Sequence, residues 1–166
     1  MGVSGAGKST VADVLSRRLG WLSAEGDSFH PASNVGRMAK GIALTDGDRW
    51  SWLDSIAAWI GVQESIGTDC IVTCSALRQA YRDVLRRNHL SVCFVHLVAP
   101  PEVIALRLSH RIGHFMPSSL LPSQLELLES LGPSEPGFTV TTAELPEDTA
   151  DRICVMLREH GRLAEC

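Results

Sequence analysis

Residues 2–9 read Gly-Val-Ser-Gly-Ala-Gly-Lys-Ser, a G-x-x-x-x-G-K-S run that constrains the fold more than any other part of the chain. Such a run works as a tight loop between a buried strand and a helix. Its glycines let backbone N–H groups crowd around phosphate oxygens, its lysine reaches the terminal phosphates, and the hydroxyl that follows can ligate a divalent ion. Gly2, Val3, Ser4, Gly5, Ala6, Gly7, Lys8, Ser9 and Thr10 are therefore the expected phosphate cradle. Lys8 is its catalytic cation and Ser9 its metal ligand. The stretch Thr10-Val11-Ala12-Asp13-Val14-Leu15 continues as an amphipathic helix, whose N-terminal dipole adds to the site. Only Met1 stands ahead of the run, so the apolar strand that leads into such a cradle is expected upstream of this chain's first residue.

With 166 residues the chain is expected to form one domain spanning 1–166. Apolar, β-branched runs alternate with helical patterns, which predicts a parallel sheet flanked by helices. The expected helices cover 8–19, 32–40, 46–66, 76–88, 101–110, 120–130 and 146–161, and the expected strands cover 21–24, 69–74, 91–98 and 138–141. A flap rich in Gly, Met, Pro and Ser follows at 111–119, and the adenine pocket is expected around 141–146, after the last strand. A net charge of −4 argues against general nucleic-acid binding. No apolar run approaches a membrane span, and no signal peptide precedes the glycine-rich run. The five cysteines are odd in number and include no C-x-x-C pair, so they read as reduced thiols of a cytoplasmic protein.

Glu25 and Asp27 lie two apart at the end of the first expected strand, so both can point to one side of the carboxyl edge where open α/β sheets bind ligands. One can approach a metal or its waters and the other can accept the proton of an attacking hydroxyl. Against this stands the plainer reading of a solvated acidic turn. Arg107 and Arg111 are one helical turn apart before the flap, placed to neutralise charge on a transferred phosphoryl group or merely to form a solvated basic face. His110 and His114 share that spacing, but the residue after the first histidine is Arg111 rather than the glutamate of a zinc site, so metal binding there is not expected. His30 is placed to donate to a polyol, or to brace the turn at Pro31. Arg49, Arg78 and Arg82 flank the middle strand and are candidates for an anionic group.

Longer blocks extend the argument. Gly26-Asp27-Ser28-Phe29-His30-Pro31, Asn34 to Met38 with Asp46, Asp48 and Arg49, Cys74-Ser75-Ala76-Leu77 with Tyr81-Arg82-Asp83, and Arg107, Arg111, His114-Phe115-Met116-Pro117 and Ser123-Gln124 together resemble the gluconate kinases. The resemblance covers roughly residues 2–130. It implies the P-loop NTPase fold of the nucleoside-monophosphate-kinase kind, with a mobile lid around 107–119 and a central first strand this chain lacks. It also implies ATP and Mg²⁺ as cofactors, D-gluconate phosphorylated at its C6 hydroxyl, and often a homodimer. On this resemblance Asp27 is the hydroxyl base, and Ser9 and Glu25 face the metal. His30, Arg49, Arg82, His114 and Gln124 are substrate contacts, and Arg107 and Arg111 are phosphate contacts of the lid. Arg78 stands where lysine is usual, Ser51 where proline is common, Glu25 where aspartate is frequent and Gly47 where an acid is frequent; none removes a group the reaction needs. Competing readings are a P-loop kinase of shikimate or another sugar acid, and a nucleotide-binding module without catalysis.

Overall fold

A computed structural model describes residues 1–110, 118–142 and 145–163. Helix α1 (Lys8–Leu19) starts at Gly7 and stops at Gly20, both left-handed. Strand β1 (Leu22–Glu25) runs into a single 3₁₀ turn, Gly26–Phe29, and helix α2 (Ala32–Ala39) follows. Helix α3 (Asp46–Ser65) opens with a reciprocal cap: Thr45 Oγ1 accepts from the Asp48 N–H, and the Asp48 carboxylate accepts from the Thr45 N–H. Its inward stripe of Trp52, Leu53, Ile56 and Ile60 packs with Tyr81, Val84 and Leu85 of α4 (Gln79–Arg86). Strand β2 (Cys70–Thr73) lies between those helices in sequence. Strand β3 (Phe94–Val98), α5 (Pro101–Ser109), α6 (Leu121–Leu127), β4 (Gly137–Thr141) and α7 (Pro146–Glu159) complete the described elements.

The strands pair in two parallel ladders. Leu22 to Glu25 stand opposite Cys70 to Thr73, and Phe94 to Val98 stand opposite Gly137 to Thr141. Met1 and Gly2 join them. The Met1 amine donates to Val95 O (2.6 Å), Met1 O accepts from Leu97 N (2.9 Å), and Gly2 N donates to Ser75 O (3.1 Å). The phosphate loop thus leaves the sheet from between β2 and β3. Beyond Met1 the facing edges of the two ladders line an apolar slot of about 730 Å³, walled by Leu15, Ile60, Ile71, Phe94 and Leu157. Burial pushes the Met1 amine down to about 5.

Element boundaries differ from the sequence expectation where the backbone leaves its regular path. Helix α4 begins at Gln79 rather than 76 because Ala76 is left-handed (φ 42°) and Arg78 is extended. Strand β3 begins at Phe94 rather than 91, after the left-handed Asn88 turn. Cys70, Cys74, Cys93 and Cys154 are free thiols. Among the described residues no helix is long and apolar enough to cross a membrane.

Candidate functional site

Gly7 caps α1 at φ 94° and ψ 14°, a conformation that suits glycine and turns the first amides of the helix toward the loop's hollow. Lys8 Nζ donates to Val3 O (2.9 Å), which folds the side chain back over the loop. A cavity of about 320 Å³ opens beside it, lined by Gly5, Gly7, Lys8, Thr10, Arg107 and Thr142. Pro146 and Thr149 complete its wall, on the side where the sequence led us to expect the adenine. Thr142 lies within the 141–146 stretch expected to form the adenine pocket, but its tie to the phosphate loop was not read from the sequence. Its hydroxyl donates to Ala6 O (2.8 Å), tying the end of β4 to the cradle. Arg107 donates to Thr142 O and Oγ1 and, at 3.4 Å, to Gly5 O, so its guanidinium lies against the loop.

The other side of the cleft is built by the end of β1. A Cβ on Gly26 would lie 2.1 Å from Thr73 O, so only glycine lets β1 turn this close to β2. Glu25 Oε2 accepts from Thr73 Oγ1 (2.5 Å), which leaves its second oxygen for another partner. Asp27 lies in the 3₁₀ turn, so strand alternation does not orient it; the turn does. Gly2 N donates to Ser75 O (3.1 Å) and Gly26 lies against Thr73 O and Cys74 Cα, so the start of the cradle and the turn that carries Asp27 flank the same strand end, where burial pushes the Cys74 thiol up to about 11. His30 stacks on Trp52 with ring centroids 4.2 Å apart, and Trp52 Nε1 donates to Gly26 O (2.7 Å). Burial lowers His30 to about 4, against a smaller upward pull from Asp27 and with Arg49 adding to the fall. The ring is therefore neutral at pH 7, and its Nδ1 is buried with no hydrogen-bond partner.

Arg49, in the first turn of α3, donates to Tyr81 Oη (3.3 Å) and stands 3.7 Å from Asp46. Arg82 does not join this cleft. It is fully buried, paired with Glu135 at 2.5 and 2.8 Å, and it donates to the carbonyls of Ala76, Leu77, Glu129 and Ser130. The signal that could have separated it from Arg49 is its position on the inward face of α4 beside Tyr81 and Leu85. Gln124 is buried as well, and its Oε1 accepts from Ser4 N (2.7 Å), so it braces the cradle. Arg111 and His114 lie outside the described residues.

The described residues contain no cluster of three or more His, Cys, Asp or Glu able to hold a metal. A phosphate-bound Mg²⁺ needs no such cage, since it takes one or two protein oxygens with the phosphates and water. Ser9 at the cradle and the open oxygen of Glu25 fit that demand.

No family model matches the chain. It is 48% identical over 147 residues to the gluconokinase of Gluconobacter oxydans (strain 621H), spanning 89% of this chain and 83% of that protein. An unliganded sugar kinase from Janibacter sp. HTCC2649 superposes with a TM-score of 0.91 at 46% identity, covering 99% of this chain and 96% of that one. A gluconokinase from Sinorhizobium meliloti 1021 superposes with a TM-score of 0.82 at 41% identity, covering 96% and 89%. Shikimate kinase from Aquifex aeolicus vf5, at 17% identity and a TM-score of 0.60 over 97% and 95%, shares the fold alone.

Proposed function

The chain belongs to the gluconokinase family, and on that premise we propose that it transfers the γ-phosphoryl group of ATP to the C6 hydroxyl of D-gluconate, giving 6-phospho-D-gluconate and ADP. The observation that carries this reading is the meeting of two half-sites at one sheet edge. The phosphate cradle of residues 2–10 adjoins the end of β2 through Gly2 and Ser75, and the turn that carries Asp27 adjoins it through Gly26 and Thr73, so a phosphoryl donor in the cradle would lie beside a hydroxylated acceptor held by Asp27, His30 and Arg49.

In this reading the loop amides and Lys8 hold the β- and γ-phosphates, with Ser9 and Glu25 facing the metal. Ser9 and Glu25 would hold Mg²⁺, which would supply neutralisation of the phosphate charge. Arg107 and Thr142 contact the nucleotide side of the cradle. Asp27 accepts the proton of the C6 hydroxyl as its oxygen bonds to the γ-phosphorus and the bond to the ADP oxygen breaks. His30, held neutral against Trp52, offers a polar ring edge to the acceptor's hydroxyls without adding charge. Arg49 faces the anionic end. Arg82 is left out of the substrate set because its donors are spent inside the core, and Gln124 acts through Ser4 instead. Arg111 and His114 keep their lid and substrate roles as proposals. A cytoplasmic location and a homodimeric assembly go with this reading.

A coupled ADP-release assay over a panel of sugar acids and shikimate tests it. Turnover with gluconate is expected, and turnover with another acceptor alone, or nucleotide binding without turnover, refutes it. Asp27→Asn should lower kcat by about 10²–10⁴-fold while ATP still binds. Near-normal turnover in that variant removes Asp27 from the base role.

A further inference from the structure

Helix α6 holds both halves of the cleft with side chains one turn apart. The chain enters it through a 3₁₀ turn, Ser118–Leu120, and Leu120 is the cap residue of the helix. Leu120 is buried with Met38 and Leu44 in a small apolar cluster of their own. Four residues on, Gln124 is buried and its Oε1 accepts from Ser4 N (2.7 Å) of the cradle. Residues four apart share one face of a helix, so a single face of α6 carries both contacts. The cluster belongs to the acceptor side. Met38 lies on α2, which His30 and Pro31 lead into, and Leu44 stands just before the Thr45 cap of α3. Two further ties brace α2 against the first turn of α3, beside Arg49. Asn34 Nδ2 donates to Asp48 O (2.7 Å), and Arg37 Nη1 donates to Asp48 Oδ1 (3.0 Å). The far end of α6 is fixed as well. Glu129 N donates to Leu77 O (2.7 Å), the Glu129 carboxylate accepts from Gln79 N (2.6 Å), and Arg82 holds the carbonyls of Glu129 and Ser130.

We propose that Leu120 is a positioning residue for the transfer step, seating the acceptor half of the cleft at its working distance from the phosphate cradle. This rests on the reading of the cleft given above and deepens it. Phosphoryl transfer needs the attacking oxygen close to the γ-phosphorus and in line with the leaving oxygen, and a misplacement of about 1 Å costs about 10²-fold. The two halves of the cleft come from segments far apart in sequence, and α6 has a direct hold on each. Gln124 holds Ser4 of the cradle through a directional hydrogen bond. Leu120 holds α2 through packing, and three close-packed side chains have few alternative arrangements. Truncating Leu120 leaves a gap into which α2 relaxes, carrying the His30 end of the acceptor site with it. The acceptor still meets its polar partners, so binding is kept. What is lost is its alignment with the phosphoryl group, so the effect falls on kcat. Water is then the competitor. A water oxygen bonds to the γ-phosphorus as Asp27 takes its proton, the bond to the ADP oxygen breaks, and inorganic phosphate leaves in place of the sugar-acid phosphate.

The test measures phosphogluconate formed per ADP released, together with kcat and the KM for each substrate. In the unaltered enzyme the two products should appear in equal amounts. Leu120→Ala should lower kcat by about 10–10²-fold, leave the KM values for ATP and gluconate within about twofold, and release ADP in excess of phosphogluconate. Leu120→Met, which keeps the volume, should restore both kcat and the product ratio. Met38→Ala should act like Leu120→Ala, and the two together should cost little more than either, since both empty one cluster. Melting curves identify any variant that is unfolded, and Leu120→Val carries the test if the alanine variant does not fold. A merely structural role lowers the number of active molecules and leaves phosphogluconate per ADP unchanged; that result overturns the proposal, as does a loss confined to KM. Should the unaltered chain phosphorylate a different sugar acid, the reading of gluconate fails, and the product ratio with that acid decides the role of Leu120 separately. A chain that phosphorylates no acceptor refutes both.

Discussion

Arg82→Met distinguishes a scaffold arginine from a substrate arginine. The side chains of Arg82 and Glu135 are 0% and 3% exposed, and two hydrogen bonds of 2.5 and 2.8 Å join them. The same guanidinium serves four main-chain carbonyls at 3.1–3.3 Å, so it pins the turn after β2 and the segment leading to β4 to one point. Methionine fills much of the volume but leaves a buried carboxylate and four carbonyls short of donors. Removing one partner of a buried pair costs about 3–5 kcal/mol. For a chain of this length each kcal/mol moves the melting midpoint by about 2–4 °C, so a fall of roughly 6–20 °C is expected. Two further readouts sharpen the test. Arg82→Met/Glu135→Leu should recover a good part of the loss, since the orphaned charge leaves with its partner. The hydrogen bond from Arg82 now holds the Glu135 carboxyl below the usual range. In Arg82→Met that carboxyl is desolvated and its folded-state pKa lies above the unfolded one. The variant's deficit should therefore shrink as pH falls toward 4. Calorimetry across pH measures all three. A variant that melts within about 1 kcal/mol of the parent, with a raised gluconate KM, refutes the reasoning and returns Arg82 to the substrate site.

Gln124→Leu removes the acceptor of Ser4 N and should cost about 1–3 kcal/mol of stability and raise the KM for ATP, leaving the gluconate KM unchanged; a change confined to gluconate would make Gln124 a substrate contact instead. Stability should depend on pH through two buried rings. His30 and His96 are both lowered by burial to about 4, so the unfolded chain binds the extra protons between about 4 and 6.5 and stability rises with pH across that window. Urea midpoints should climb from about pH 4 to 6.5, and a flat profile there would contradict the burial of the two rings.

The fold was legible wherever a pattern recurs within a few residues. The glycine-rich run announced its loop and helix, and the Thr45–Asp48 cap is visible as Thr, three residues on, Asp. What escaped depended on partners far away in sequence. Arg49 and Arg82 look alike in one dimension. Glu135, 53 residues downstream of Arg82, decides that one belongs to the core and the other to the cleft. The bond from Thr142 to Ala6 escaped for the same reason, since it spans 136 residues. The early start of α4 was over-read because helical composition at 76–78 is overridden by the left-handed Ala76, which takes the chain out of β2.

The arrangement of Met1 and Gly2 has a consequence for how the molecule comes apart. Two short ladders meet along a seam that both apolar clusters bridge and that three main-chain hydrogen bonds close at the end next to the cradle. The cradle hangs from that end, while Thr142 and Arg107 reach it from the β4 side. A nucleotide seated there acts as a fastener across the seam, and amides at the edges of β2 and β3 should exchange with solvent far more slowly when it is bound.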